Sequence, residues 1–307
     1  MRCNRMTWFW YSIIALLCWS GSDLFSKIGC RGQEDKRSHL KMLTAVGIVM
    51  GLHCAYKVFF CGIPLSVSVI VQYLPVSALY ILSMAIGYIG LRYIELSISS
   101  PICNSSGAVV AILTLITAGR SGVNNVQLLA VSFVILGIIA LSIVEAREDP
   151  SLREQRQSEG NYKYSKSFLA LLIPILYCLL DALGTFADSL VLETLEEESA
   201  NCAYELTFFA VGIVCLIYQL LRHEKFHLKL EAPKYLGAVF ETAGQFAYIF
   251  AIGDSKHVML SAPIISSYCV ASVLWGRIFL KEKLSWKHYI SISIVILGII
   301  LIGIYDI

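Results

Sequence analysis

Short polar links divide the chain into ten apolar stretches of about 20 residues each, the length at which a helix crosses a bilayer. Backbone groups in lipid must be paired within the chain, so such stretches fold as helices rather than open strands. Hydrophobic residues make up 57% of the chain and charged residues 15%, which is too apolar for a soluble domain of this length. The sequence therefore predicts an all-α integral membrane protein with ten transmembrane helices, at 7–28, 42–61, 67–91, 97–118, 125–144, 167–189, 202–221, 234–252, 257–279 and 287–305.

The third stretch is longer than a crossing requires, and it contains Pro75. Proline lacks the backbone donor that a helix interior uses, and its ring crowds the preceding turn. We therefore expect an interfacial turn over 67–74 and a spanning helix only after the proline.

A charged link and a repeated hexamer indicate two halves. Residues 145–166 contain ten charged side chains and cannot lie in lipid. The hexamer VILGII occurs at 134–139 and again at 295–300, and Pro101 and Pro263 precede the two copies at nearly equal distances. A duplicated unit of five helices enters the membrane in opposite orientations, a recurring design of transporters. We therefore predict two inverted five-helix repeats, with a first repeat at 1–148, a charged linker at 149–166 and a second repeat at 167–307.

The segment 261–304, SAPIISSYCVASVLWGRIFLKEKLSWKHYISISIVILGIILIGI, resembles the drug/metabolite transporter superfamily in its EamA-like branch of ten-helix permeases. Glu282 and Leu284 fill the family's Glu-x-Leu positions, and Gly298 matches the glycine of its last helix. The chain departs from the family at Cys269, where proline is common, and at Arg120, where glutamate is common. The resemblance implies a secondary active carrier that moves a small organic metabolite or drug across the plasma membrane by alternating access. Its substrate stays open.

Other functional classes find little support in the sequence. No nucleophile elbow, HExxH motif or nucleotide-binding glycine loop is present, so we predict no enzyme, catalytic residue or cofactor. The ten cysteines show no zinc-ligand spacing, so no metal site is predicted. A net charge of +2 with no basic patch argues against nucleic acid. The predicted partners are a small-molecule substrate and the lipid bilayer. Two alternatives stay open: a non-transporting scaffold or receptor, and a facilitative carrier for a sugar or nucleotide derivative.

Energy coupling and assembly are predicted only in outline. Buried carboxylates without a nucleotide-binding motif favour a proton-linked exchanger or a facilitator over an ATP-driven pump. Gly47 and Gly51 form a GxxxG motif, for which close helix packing is the default interpretation and a homodimer contact is the alternative.

Basic residues favour the cytoplasmic side of short loops. Most of the 24 lysines and arginines lie in the odd-numbered links, which would place both termini outside the cell, whereas relatives usually keep both termini in the cytoplasm. The exceptions, at the N-terminus and in even-numbered links, are Arg2, Arg5, Lys57, Arg120 and Lys256.

Ionisable groups within apolar helices are the first candidates for a substrate site, because placing them in a bilayer is costly. Asp181 lies in the middle of the sixth predicted helix. Glu241, Gln245 and Tyr248 follow helical spacing and form one polar stripe on the eighth. We expect Asp181 and Glu241 to line a central cavity, where one contacts a substrate amine or exchanges a proton. The alternative is that they only hydrogen-bond to neighbouring helices.

Small polar residues at duplicated positions form a second candidate set. Asn104 and Ser105 follow Pro101 on the fourth helix, and Ser267 and Tyr268 occupy the matching place after Pro263 on the ninth. A pseudo-twofold axis would bring the two sets together, where hydroxyls and an amide suit an uncharged or zwitterionic solute. The alternative is close helix packing through small residues.

Two further features are ambiguous. Asp188 lies seven residues after Asp181 on the same helical face, and Asp23 and Lys27 are spaced to pair near a helix end. For the Asp23 and Lys27 pair, side chains that reach toward the interface are the preferred interpretation.

Overall fold

The computed structural model describes residues 7–30, 37–93, 102–119, 123–147, 168–279 and 284–305. Every regular element in these ranges is helical, in agreement with the all-α prediction. The predicted linker at 149–166 lies outside the described residues, as do Arg120 and Glu282. The helices are α1 (Thr7–Cys30), α2 (Ser38–Phe59), α3 (Val67–Tyr93), α4 (Ser106–Ala118), α5 (Asn125–Ala146), α6 (Phe168–Val191), α7 (Glu197–Leu221), α8 (Leu228–Ile252), α9 (Val258–Ser266), α10 (Tyr268–Phe279) and α11 (Trp286–Tyr305).

Seven segments of the described chain are long and apolar enough to cross a membrane: α2, α3, α5, α6, α7, α11 and the consecutive pair α9–α10. Helix α4 is apolar but shorter. Helices α1 and α8 are long enough, at 24 and 25 residues, but more polar. Many of their polar side chains, among them Ser22, Lys234 and Gln245, are buried inside the protein, where other helices shield them from lipid.

The expected interfacial turn at 67–74 is wrong, because α3 runs without interruption from Val67 through Pro75 to Tyr93. A proline within a transmembrane helix is tolerated when neighbouring groups satisfy the backbone that it frees. Here Tyr73 and Val76, on either side of the proline, are fully buried against other helices. Packing of the residues that precede and follow the proline in sequence offsets its local cost.

The ninth predicted crossing is divided. Helix α9 ends at Ser266 and α10 begins at Tyr268, with Ser267 between them. The fourth crossing has a similar interruption, since Ile102 and Cys103 are helical, Asn104 and Ser105 form a turn, and α4 follows. Helix interruptions leave backbone groups available within the membrane, which occurs where they face protein or a cavity.

The two copies of VILGII pack against each other. A side chain at Gly137 of α5 would collide with Val295 of α11, and one at Gly298 of α11 would meet Val134 of α5 at 2.8 Å and the carbonyl oxygen of Ala130 at 2.7 Å. Each glycine therefore receives the valine that begins the other copy. The repeated hexamer provides the contact surface on both helices, which is a physical reason for its recurrence.

Helices α2 and α7 also cross at paired glycines. A Cβ atom at Gly47 would lie 2.8 Å from the Cα atom of Gly212, so the two backbones touch. Gly51, the second glycine of the GxxxG motif, packs under the ring of Phe209 on α7. The motif therefore serves helix packing within the chain, as the default interpretation predicted.

Ion pairs fix both ends of α2. At its start, Lys41 lies 3.1 Å from Glu231 on α8, and Lys234 lies 3.0 Å from the same carboxylate. At its end, Lys57 lies 3.1 Å from Glu198 on α7. We call the side of the protein at which α2 ends and α7 begins side A.

Candidate functional site

A cavity of about 110 Å³ lies among the central helices, and its walls come from both halves of the chain. The first half contributes α1, α3 and the segment around α4, and the second contributes α6 to α10. One buried water needs about 10–15 Å³, so the cavity has room for several waters or one small solute.

Three carboxylates line the cavity: Asp23 of α1, Asp181 of α6 and Glu241 of α8. Each has a serine hydroxyl from another helix as a neighbour. Ser272 of α10 donates a hydrogen bond of 3.0 Å to Asp23, Ser106 of α4 bonds to Asp181, and Ser22 of α1 bonds to Glu241. The three bonds connect five helices around one space.

The structure brings six of the eight predicted site residues to this cavity: Asp181, Glu241, Gln245, Tyr248, Asn104 and Tyr268. Ser105 and Ser267 are not among the lining residues. Ser267 is buried at the break between α9 and α10, and its hydroxyl donates a 2.6 Å hydrogen bond to the carbonyl of Ile264. Ser105 precedes the first residue of α4. The neighbouring serines, Ser106 and Ser266, face the cavity instead.

Aromatic rings form much of the wall. Trp19 lies 5.1 Å from Tyr248 and 6.0 Å from Tyr268, measured between ring centroids. Tyr80 contacts Tyr204 and Tyr248 edge to face, at 5.9 and 6.0 Å. Tyr88 and Tyr177 complete a set of seven rings around the cavity.

A buried hydrogen-bond network lies beside the cavity in the direction of side A. The hydroxyl of Tyr73 donates a 2.7 Å bond to Asp188, and Tyr80 bonds to Thr185 at 3.2 Å and to Asp188 at 3.4 Å. Tyr80 is also hydrogen-bonded to the hydroxyl of Tyr248. Tyr80, Thr185 and Tyr248 line the cavity, whereas Tyr73 and Asp188 lie behind them with no exposed surface. The network connects α3, α6 and α8 and closes the cavity on this side.

Glycines allow the rings to reach the cavity. Tyr80 of α3 packs onto Gly184 of α6, and Tyr177 of α6 packs onto Gly87 of α3. In the same way Trp19 of α1 packs onto Gly244 of α8. A side chain at any of these glycines would enter the space that the ring occupies.

Several cavity residues were not among the predicted site residues. Asp23 was interpreted as half of an interfacial pair with Lys27, yet its carboxylate faces the cavity. Trp19, Tyr177 and Tyr204 had no distinguishing signal, because aromatic residues are common throughout the chain. For Asp23 a signal existed: it is an acidic residue within a predicted transmembrane helix, like Asp181 and Glu241.

The cavity residues do not form a metal site. In the ranges that the structure describes, no group of three or more histidine, cysteine or acidic side chains is arranged to hold a metal ion. The cavity instead combines separated carboxylates, aromatic faces and amide groups, which suits the recognition of an organic solute.

Comparison with known proteins identifies relatives for this architecture. Residues 168–304 match the model of the EamA-like transporter family. A solved crystal structure aligns with 99% of this chain and 98% of its own, with a TM-score of 0.68 and 12% sequence identity, which shows a common fold. No curated protein is significantly similar in sequence.

Proposed function

We propose that this chain is a secondary carrier of the drug/metabolite transporter superfamily that works by alternating access. The EamA-like match over its second half and its seven apolar segments long enough to cross a membrane support this proposal. In this proposal ten transmembrane segments form two inverted repeats, 1–148 and 167–307, joined by the linker 149–166. The central cavity binds a small organic solute, and Asp181 and Glu241 are its principal polar contacts. The observation that carries the proposal is an acidic central cavity with walls from both halves of the chain.

Helix packing supports the inverted repeats. Counting α9 and α10 as one crossing, helix n of the first half corresponds to the nth crossing of the second half. Under this correspondence α1 is equivalent to α6 and α3 is equivalent to α8. The contact of α1 with α8 is therefore equivalent to the contact of α3 with α6, and both contacts are present. The pairs α2 with α7, α4 with α9 and α5 with α11 each join corresponding crossings. A twofold axis in the membrane plane produces this pattern.

The network on side A supports alternating access. Asp188 follows Asp23 by the same number of residues as Gly212 follows Gly47. In this proposal the two aspartates therefore occupy equivalent positions in the repeats. Asp188 is enclosed by tyrosines, whereas Asp23 borders the cavity. A carrier of inverted repeats exchanges the environments of such positions between its two states. In this proposal the network of Asp188 opens when the cavity changes sides.

The proposal extends to location and coupling. A plasma-membrane location follows from the family resemblance, and export coupled to protons would use the carboxylates of the cavity as proton acceptors. Helix α7 of the same chain packs on Gly47 and Gly51, so a homodimer would use another surface.

Counterflow in liposomes tests the carrier proposal. Purified protein is reconstituted into liposomes loaded with one unlabelled solute, and entry of the labelled solute is followed for a panel of amines, amino acids, sugars and nucleosides. We expect transient accumulation of at least one solute, and a loss of at least about tenfold in the Glu241→Gln/Asp181→Asn double variant. Asp254→Asn, in the loop between α8 and α9, is the matched control and is expected to retain the wild-type rate.

A scaffold or receptor is the alternative function. It requires no solute exchange, and its cavity residues would serve packing only. Folded wild-type protein that shows no counterflow for any class in the panel would contradict the carrier proposal and favour this alternative.

A further inference from the structure

The acidic groups of the cavity differ in their partners from three carboxylates elsewhere in the protein. Those three are paired with basic side chains: Glu205 with His53 at 2.7 Å, Glu198 with Lys57 at 3.1 Å, and Glu231 with Lys41 at 3.1 Å. Asp188, behind the cavity wall, resembles the cavity groups, because its partners are tyrosine hydroxyls. Inside the cavity the partners of Asp23, Asp181 and Glu241 are serine hydroxyls. A hydroxyl satisfies a hydrogen bond but supplies no positive charge.

The described lining of the cavity contains no compensating cation. Among the described residues that face the cavity, none is a lysine, arginine or histidine. Lys27 lies one helical turn from Asp23 and acts on its charge, so it offsets one of the three carboxylates at most. Isolated charges in a low-dielectric interior are costly unless an opposite charge accompanies them. The cavity therefore favours a positively charged occupant.

The aromatic walls suit a cation with an apolar body. The face of an indole or phenol ring attracts organic cations, and the attraction grows when water is excluded. Seven rings surround the carboxylates, and Trp19 contacts both Tyr248 and Tyr268. This combination recognises an ammonium group together with the methyl or methylene groups attached to it.

Two N–H donors of cavity-lining residues have no acceptor among the described residues. Trp19 and Gln245 line the cavity, and the indole nitrogen of Trp19, which packs against Gly244, and the side-chain amide nitrogen of Gln245 are buried without a hydrogen-bond partner among the described residues. A buried donor without an acceptor is costly, so a bound solute that supplies an oxygen atom is favoured. Such a solute is an organic ammonium that carries a hydroxyl, ether or carbonyl oxygen.

On this basis we infer that the cavity selects organic cations, namely ammonium or quaternary ammonium compounds with a small apolar body and an oxygen acceptor. The inference rests on the proposed carrier function and specifies its substrate class. It excludes anions and disfavours neutral analogues of the same shape.

Matched pairs of probes separate charge from shape. Choline and 3,3-dimethylbutan-1-ol share their outline and differ in one positive charge, and acetylcholine and 3,3-dimethylbutyl acetate form a second pair. Binding to detergent-solubilised full-length protein is measured by the concentration dependence of its thermal unfolding. In at least one pair the cation is expected to bind about tenfold or more tightly than its neutral partner.

Variants identify the groups responsible. Glu241→Gln and Asp181→Asn remove one charge each at nearly constant shape and are expected to reduce the cation-to-neutral ratio severalfold. Asp254→Asn is expected to leave the ratio unchanged. The paired measurement on wild-type protein alone already decides the inference if a cavity variant fails to fold. Equal binding of both members in both pairs, or failure of both cations to bind, would overturn it.

The results also distinguish this inference from the carrier proposal. Cation-selective binding without counterflow of the bound cation retains the substrate class and contradicts transport. Counterflow of a neutral or anionic solute in preference to every cation retains the carrier and overturns the inference.

Discussion

Tyr73 donates a 2.7 Å hydrogen bond to Asp188, although 115 positions separate the two residues in the sequence. Both side chains are fully buried. The bond joins the first part of α3 to the last part of α6, at the place where the cavity is closed toward side A. A buried carboxylate that depends on tyrosine hydroxyls is stable only while both helices keep this position.

Removing the hydroxyl of Tyr73 is expected to weaken this closure. In Tyr73→Phe the carboxylate of Asp188 loses its shortest hydrogen bond, which costs about 1–3 kcal/mol of stability in the closed arrangement. We expect faster modification of a cysteine introduced at Thr185, as measured with a membrane-impermeant thiol reagent in a background without native cysteines. Tyr235→Phe, at a partly exposed tyrosine of α8, is the control. Equal modification rates in Tyr73→Phe and in the parent protein would contradict the role of this network in closure.

The sequence indicated much of the site because charged residues in apolar helices are rare and costly. Asp181 and Glu241 were predicted for this reason, and the structure places both at one cavity. Tyr73 and Trp19 could not be predicted in the same way. Their importance depends on the rotation of each helix about its axis and on glycines in a neighbouring helix, such as Gly244 beneath Trp19.

The helical segments were also predictable in outline, because apolar length determines whether a segment can cross a membrane. Two local features were not. Pro75 suggested a break where α3 continues, since packing of its neighbours offsets the proline. The break at Ser267 followed no such signal, because Pro263, the nearest helix-disrupting residue, lies inside the intact α9.

A side chain at Gly298 is expected to separate α5 from α11. A Cβ atom there would lie 2.7 Å from the carbonyl oxygen of Ala130, closer than normal contact. Gly298→Val should therefore destabilise the protein by at least about 1–3 kcal/mol, as overpacking does elsewhere. The midpoint of thermal unfolding in detergent measures this effect.

Ile296→Val provides the comparison for Gly298, because Ile296 lies on the same helix with 44% of its surface exposed. It should change stability by no more than about 0.5 kcal/mol. Similar unfolding midpoints for the two variants would show that the VILGII contact is not close-packed in the protein.

Glu231 is expected to be essential for the packing of α8 on α2. Its carboxylate lies between Lys41 and Lys234, whose side chains are 4% and 0% exposed. In Glu231→Gln two buried ammonium groups lose their common counter-charge, and removing one partner of a buried ion pair costs about 3–5 kcal/mol. Chemical denaturation of the purified protein measures the loss.

Glu224→Gln is the matched control for Glu231. Glu224, in the link between α7 and α8, pairs with Arg37 just before α2, and about a quarter of its side chain is exposed. Solvent screens such a pair, so the expected loss is about 1 kcal/mol or less. Equal losses in the two variants would contradict the distinction that burial makes here.

The loop between α8 and α9 should give stability a dependence on acid pH. His257 lies 2.7 Å from Asp254, and this hydrogen bond lowers the pKa of Asp254 from its ordinary value of 3.8. The ring of Trp8 at the start of α1 stacks on His257 at 4.8 Å. The hydrogen bond to Asp254 therefore holds in place the histidine that contacts α1. A lowered pKa in the folded state means that the charged carboxylate stabilises the fold above pH 3.8 and that this contribution is lost as pH falls through the lowered value.

The difference in unfolding midpoint between wild type and Asp254→Asn should therefore be greatest near neutral pH and disappear in strong acid. A difference that stays constant from pH 7 to pH 3 and below would show that the charge of Asp254 does not stabilise this loop.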